Sequence, residues 1–401
     1  MPWIIATTLT VFVPLVVLYW YVGRRLRDAL GDYFVRERKR VGRYVWSVLA
    51  YVNAYPVLFL IVFLIEGRSR VPAFSGESLA IDLFFAYPFW FGLVFTVQMA
   101  LVAGLMDLGR ILLWPIYRKR KLAWIARQGS ITLIVGIFVA VYSIVTIITD
   151  TWTVRTVEHV YRLPIGAQKL AGSLLVHISD VQGDGRTTPA RLRAYVDRVN
   201  ALKPDVVFFS GDLVTSGERY IASTAEILGK IDAPFGKIAA VGDHDIFSDK
   251  DSVMASLRRG GFIMADDTTV TVSVRGEVVS VTLVTHTYRQ RPDHNDLGRA
   301  VDGANGNLKI FLVHQPAESL VDFAGSQGYH LFLAGHTHGG GVAFGIPGLF
   351  LFSPASTESK YVSGFYDVGT MLVSVTNGIG MTLAPIRFHA PAEISVIRLV
   401  S

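Results

Sequence analysis

Cysteine is absent from this 401-residue chain, which excludes disulfides, thiolate catalysis and cysteine-ligated zinc, and is compatible with either side of a membrane. Charge is scarce as well. Only 17% of residues are charged and 51% are hydrophobic, too apolar a balance for a simple soluble domain. No histidine precedes His159 and no tryptophan follows Trp152. Basic excess is also missing from most of the chain. Residues 1–150 carry 16 Lys/Arg against 8 Asp/Glu, whereas residues 151–401 carry 22 against 24. The sequence pI of about 9.4 is therefore a property of the first part, where basic charge argues for a membrane surface rather than nucleic acid.

Charge is missing altogether from four apolar runs, at about 2–22, 44–65, 83–106 and 131–148. Each is about 18 residues or longer, enough for a helix to cross a bilayer core. The expectation is a four-helix transmembrane region over 1–150. Trp3, Trp20, Trp46 and Trp90 lie near run ends, as interfacial rings prefer. The loop Gly23–Arg43 holds eight Lys/Arg, residues 66–82 hold two, and Asp107–Arg127 holds six, including Arg118–Lys121. The positive-inside rule puts the first and third loops in the cytoplasm, so the N-terminus and everything after Asp150 lie outside a cell membrane crossed several times. The stretch Ile111–Arg127 reads as an interfacial amphipathic piece. The first run has no basic n-region and is read as retained, not cleaved. Residues 151–172 read as a connector.

From Ser173 the pattern becomes short β-branched runs alternating with amphipathic helical stretches. This predicts a layered α/β sandwich over 173–401, large enough for its own core. Five apolar runs, "HISD", "FFSGD", "AAVGDHD", "FLVHQ" and "FLAGHTH", finish on Asp or His. One such ending is an ordinary turn. Five of them gather Asp180, Asp212, Asp243, His244, His314, His336 and His338 beyond strand ends, where α/β sheets place their chemistry. Two divalent ions a few ångströms apart can clamp a phosphoryl group and acidify a water between them. Only a carboxylate, not a neutral imidazole, can bridge the two, which suits Asp212.

In order, "SDVQ", "GDLV", "GDHD", "LVHQP" and "GHTHGG" resemble the calcineurin-like metallophosphoesterase superfamily, in its membrane-associated bacterial branch, from about Ser173 onward. The resemblance implies an αββα sandwich and two divalent ions. Asp180, Gln182 and His338 would hold one ion, Asp243, His314 and His336 the other, and Asp212 would bridge them. It also implies hydrolysis of a phosphate mono- or diester by a metal-bridging hydroxide, with His244 as general acid. Asp245 reads as a support of the site. Asp184, His286, Arg289 (with Arg291 nearby) and Gly339 read as candidates for metal support, substrate contact or close backbone approach. His177 reads as a packed strand residue, and His159, His294, His330 and His389 as structural or surface.

Two positions depart from the family pattern: Gln182 stands where a His is usual, and Asp243 where an Asn is usual. An amide oxygen favours Mn²⁺, Mg²⁺ or Ca²⁺ over Zn²⁺; Fe²⁺ also fits the family. Mn²⁺ is the expected ion. The expected partners are the bilayer and a phosphorylated lipid or cell-envelope substrate, with no nucleic acid. The uncharged "VAFGIPGLFLFSP" after the last motif reads equally as a membrane-dipping loop or as a core strand and turn. Two other functions stay open: a UDP-diacylglucosamine-type pyrophosphatase of lipid A synthesis, which relatives of the branch include, and a non-catalytic metal-binding membrane sensor.

Overall fold

The structure is a computed structural model that describes residues 3–66, 78–381 and 384–401. The chain divides into two compact units, Met1–Ile147 and Ile148–Ser401.

The first unit is helical, with long helices at Trp3–Tyr33, Arg38–Val52, Ala54–Glu66, Tyr87–Leu112 and Lys121–Trp152, the last continuing into the second unit. Among the described residues, two helices are long and apolar enough to cross a membrane: Leu79–Leu112 and Ala123–Trp152. The expected four spans are met by two among the described residues, and the first run lies partly outside them. The run at 44–65 is not one straight helix, since the pair Val35–Val52 and Ala54–Ile65 is bent by 41° and makes at most a third span. The cause is local. Pro56 has no amide hydrogen to give to Val52 and crowds that carbonyl, while Asn53 turns its side-chain amide back onto the Leu49 carbonyl. The run at 2–22 begins in Trp3–Tyr33, but Pro2 and the side chains through Val13 lie outside the described residues, as does most of the 66–82 loop. Ile134, Ile137 and Phe138 are about two-thirds exposed, which water would penalise and lipid would not.

The second unit is a four-layer sandwich. One six-stranded sheet runs β1 (Arg155–Arg162), β14 (Glu393–Val400), β2 (Leu174–Ile178), β3 (Val206–Phe209), β4 (Lys237–Ala239), β5 (Phe262–Met264). The other runs β12 (Gly364–Val368), β13 (Met371–Val375), β9 (Leu331–Ala334), β8 (Leu308–Val313), β7 (Glu277–Val284), β6 (Thr268–Val274). β2 through β5 are parallel, as are β7, β8, β9 and β13. Such strands are covered on both faces, so they read as unbroken apolar runs. Leu175, Phe208 and Ile238 of one sheet pack against Val281, Ile310 and Leu333 of the other. Outside the first sheet, helices Pro189–Ala201, Ile221–Leu228 and Lys250–Arg259 bury Leu192, Ala225 and Leu257. Outside the second, helices His294–Val301 and Glu318–Ser326 bury Leu297 and Leu320.

Residues 155–162, read from sequence as part of a connector, pair along their whole length with β14 and form an edge strand of the unit. The segment after the last motif is neither buried core nor plain loop. It is a two-stranded hairpin, β10 (Phe344–Ile346) with β11 (Phe350–Phe352), whose apolar side chains are largely exposed.

Candidate metal centre

Parallel strands bring their C-terminal ends to one edge, and here both sheets do so at the same place. Asp180 follows β2, Asp212 follows β3, Asp243 follows β4, His314 follows β8, and His336 and His338 follow β9. The turns are tight. Among the described residues, nine non-glycine positions have positive φ, and five of them are Asp180 (49°), Gln182 (52°), Asp212 (62°), His336 (71°) and His338 (51°). Left-handed backbone is unfavourable for a side chain, and its concentration at one cluster marks a site whose geometry the surrounding fold imposes.

Asp212 lies at the centre. Its Oδ2 accepts from Gln182 Nε2 at 2.8 Å and faces His314 Nε2 at 3.3 Å and His244 Nε2 at 4.0 Å. Its Oδ1 accepts the backbone N–H of His244 at 2.9 Å. The carboxylate of Asp245 holds this loop from behind: it accepts the N–H groups of Asp212, Leu213 and Gly242 at 2.8–2.9 Å. Burial and the neighbouring Asp212 charge push Asp245 up to about 6. Gly242 is required by close approach, since a Cβ there would sit 2.2 Å from Asp212 Oδ1.

Asp243 opens the helix Asp243–Ser248. Its Oδ1 accepts from Tyr288 N at 2.8 Å, and its Oδ2 accepts from Gln315 Nε2 at 2.9 Å while facing His336 Nδ1 at 3.0 Å and His314 Nε2 at 3.6 Å. His314 donates Nδ1–H to the Ser210 carbonyl at 2.8 Å, which leaves Nε2 pointing between Asp212 and Asp243. His338 Nε2 stands 3.4 Å from Asp180 Oδ1, and Asp180 Oδ2 accepts His336 N–H at 2.9 Å.

The ligand atoms of Asp243, His314 and His336 lie within 4.8 Å of one another, and so do those of Asp180, Asp212 and His314. His314 therefore belongs to both groups, where the resemblance assigned it to one ion. Among the described residues Asp180 Oδ1, Gln182 Oε1, His314 Nε2 and His338 Nδ1 are buried without a hydrogen-bond partner. Unpaired buried polar atoms are unfavourable, and Asp180 Oδ1, Gln182 Oε1 and His314 Nε2, on residues that contact the Asp212 carboxylate or share its cluster, fit divalent cations. Burial alone would make the imidazoles harder to protonate. The carboxylates beside His314 instead raise it well above its ordinary value, and Asp243 and Glu358 hold His336 at about 9. A positive charge is favoured where these imidazoles stand, and a cation can provide it in place of their protons.

The other residues singled out in the sequence divide by what they touch. Asp184 Oδ1 accepts from Arg186 N and Thr187 N and braces the 184–187 turn, and Oδ2 accepts from Thr215 Oγ1, so both oxygens are engaged away from an ion. His286 bonds Gln315 Oε1 through Nδ1 and so backs the residue that holds Asp243. Arg289 lies over the Phe247 ring at 4.5 Å. Gly339, at φ 64°, fits its backbone against the Asn377 amide. His177 is fully buried between Ser210 Oγ and Ser374 Oγ, linking the two sheets, and burial lowers it to about 3. His159 stacks on Phe365, His294 meets Phe323, His330 accepts Lys309 N–H, and His389 stacks on Phe388.

Three residues that the sequence reading passed over matter here. Tyr288 O–H donates to Glu358 at 2.7 Å, and both groups stand 3.2 Å from His336 Nε2. Arg387, 1% exposed, donates to the carbonyls of His338, Asn377, Gly380 and Ala390.

A calcineurin-like phosphoesterase profile matches residues 174–340, which hold all seven candidate ligands and His244. An uncharacterized metallophosphoesterase of Bacillus subtilis, YkuE, is 31% identical over 255 residues, covering 62% of this chain and 86% of that protein. The chain belongs to the calcineurin-like metallophosphoesterase family. A zebrafish transmembrane protein with a metallophosphoesterase domain is 29% identical over 284 residues, covering 68% of this chain. A putative metallophosphoesterase of Caenorhabditis elegans is 29% identical over 233 residues, covering 55% of this chain. The chain spans 63% of the zebrafish protein and 47% of the nematode one.

Proposed function

We propose that this metallophosphoesterase is a membrane-anchored, two-metal hydrolase of a phosphate mono- or diester carried by a lipid or a cell-envelope polymer. The observation that carries the reading is the gathering of Asp243, His314 and His336, and of Asp180, Asp212 and His314, with ligand atoms within 4.8 Å of one another, and with Gln182 against Asp212 and His338 against Asp180. Divalent ions held there would supply Lewis acidity towards a phosphoryl oxygen and make water a stronger acid. The amide oxygen of Gln182 adds a hard ligand, which supports Mn²⁺ ahead of Zn²⁺.

This chain's own contribution to proton transfer is His244. It donates Nδ1–H to the Thr215 carbonyl, which fixes the ring and leaves Nε2 on the partly open side of the cluster. That nitrogen is placed to protonate a leaving oxygen. The test is the full chain loaded in turn with Mn²⁺, Mg²⁺, Ca²⁺ and Zn²⁺ and offered aryl phosphate mono- and diesters, lipid phosphates and nucleotide-lipids. The reading fails if none is cleaved. His244→Ala is expected to lower kcat by roughly 10²–10⁴-fold while the bound metal, measured by elemental analysis, stays at the wild-type level. Undiminished turnover would remove His244 from the role.

Orientation follows from the last span alone. Arg118–Lys121 precede Ala123–Trp152, and the catalytic unit follows it. Basic residues on the cytoplasmic side put that unit on the extracytoplasmic face, whatever the number of spans upstream. A pair of reporters fused after Ser401, one active only in the cytoplasm and one only outside, is expected to report the outer side. A cytoplasmic signal would reverse this assignment.

A further inference from the structure

The hairpin β10–β11 is an unusual object for a water-facing surface. From Val342 to Pro354 it carries no charged residue. Phe344 pairs with Phe352 and Ile346 with Phe350, so these four share a face, and Ile346, Phe350 and Phe352 are 55–60% exposed. Leu349 at the tip is 75% exposed. A free two-stranded hairpin is marginally stable in water, and a long apolar one invites aggregation. The exposed face therefore calls for a cover.

The root of the hairpin shows what covers it. Val342 bridges Phe388, Ala343 N donates to the Phe388 carbonyl at 2.9 Å, and the Phe344 and Phe388 rings meet at 6.0 Å. The neighbouring residues of the same segment hold the end of the apolar helix. Arg387 N donates to Thr151 Oγ1 at 2.9 Å, His389 N to Asp150 Oδ2 at 2.7 Å, and Ala392 N to the Asp150 carbonyl at 3.1 Å. Asp150 and Thr151 are buried in the catalytic unit. Arg191 caps this helix end through the Thr151 carbonyl and lies over the exposed Trp152 ring at 4.9 Å, an interfacial arrangement of aromatic ring and cation. One segment, 387–392, thus grips the point where the span Ala123–Trp152 ends and the base of the apolar hairpin together.

We infer that the hairpin Phe344–Phe352 seats in the lipid surface from which that span emerges, with Ile346, Leu349, Phe350 and Phe352 among the acyl chains. It begins six residues after His338. A cavity of about 370 Å³ lies against the hairpin, lined by Leu349, Phe350, Ser353 and His389 among others and by Gly339, next in sequence to His338. The inserted hairpin would deliver a phosphorylated lipid to the metal centre from the membrane side. Insertion rests on the membrane-anchored reading and delivery of a lipid on the proposed chemistry, so insertion is tested without turnover.

The chain has no cysteine, so single labels are clean. Full-length protein in phosphatidylcholine vesicles, labelled with an environment-sensitive fluorophore at Leu349→Cys, is compared with Ile137→Cys inside the span and Ile165→Cys. Ile165 is 99% exposed and lies beyond the far end of β1, about 26 Å of strand away from the helix end. Nitroxide-labelled lipids are expected to quench the label at 349 severalfold more than at 165 and about as much as at 137. Quenching at 137 but only background at 349 would overturn the inference and leave the anchor intact. Background at both would remove the anchor and the inference together. Phe350→Cys should repeat the 349 result, which guards against a local effect of one label.

Discussion

Asp212→Asn strips the centre of metal and of phosphoesterase activity while leaving the chain folded. The side chain has the same shape, so the sandwich has no reason to collapse. One oxygen must stay at the Oδ1 position to accept the His244 N–H, which turns the new amide nitrogen to the Oδ2 position. There it faces the Gln182 amide nitrogen, a donor, instead of accepting from it. It also faces His314 Nε2 with no charge to offer a shared cation. Supporting residues of metal ligands are worth 10–100-fold in affinity, so loss of a central carboxylate should weaken binding by at least on the order of 100-fold. The rate should fall by on the order of 10³-fold, since several kcal/mol of charge stabilisation goes with the ions. Elemental analysis after dialysis and the turnover of an aryl phosphoester read the two effects separately. Wild-type metal content in the variant would show that Asp212 is not a ligand.

Arg387→Met should weaken the fold rather than the chemistry. The guanidinium is buried and serves four carbonyls, from His338 on one loop and Asn377, Gly380 and Ala390 on another. Methionine fills much of the volume but satisfies none of them. Buried acceptors left unpaired cost about 1–3 kcal/mol each, and partial relaxation brings the expected loss to about 3–5 kcal/mol. For a unit of this size that lowers Tm by about 6–20 °C, at roughly 2–4 °C per kcal/mol. Circular dichroism of the full chain in detergent measures it. An unchanged melting curve would mean that water replaces the side chain at no cost. Lysine in place of arginine should recover only part of the loss, because one ammonium cannot reach two loops as a planar fork does.

The sequence made the centre legible because every ligand sits at the end of an apolar run, and runs of that kind fold into parallel strands with one common edge. The pairing of ligands was less legible. The family resemblance assigned His314 to one ion, yet it stands near both the Asp212 and Asp243 carboxylates, a relation that depends on how two sheets face each other. Tyr288 and Glu358 meet at His336 from positions 70 residues apart, and neither lies in a motif. Arg387 did leave a trace, as the single Lys, Arg, Asp or Glu between Asn377 and Ala392. In the helical unit, the run at 44–65 is bent where the sequence read it as one run. Hydropathy measures the length of a run and does not register a bend at Asn53 and Pro56. The last apolar segment could not be assigned from its composition, since a core hairpin and an exposed one have the same letters.

The left-handed turns that present Asp180, Gln182, Asp212, His336 and His338 have a further consequence. At each of them glycine would relieve about 1–2 kcal/mol of left-handed strain, against a loss of chain entropy and of the hydrogen bonds that Asp180, Gln182 and Asp212 make. Selection for stability and selection for a metal centre therefore pull in opposite directions at the same five residues. A descendant that no longer needs its ions is under pressure to replace these side chains first, and would gain robustness as it lost its activity. All five positions carry an oxygen- or nitrogen-bearing side chain, the kind a metal centre would use, on backbone that strains the fold.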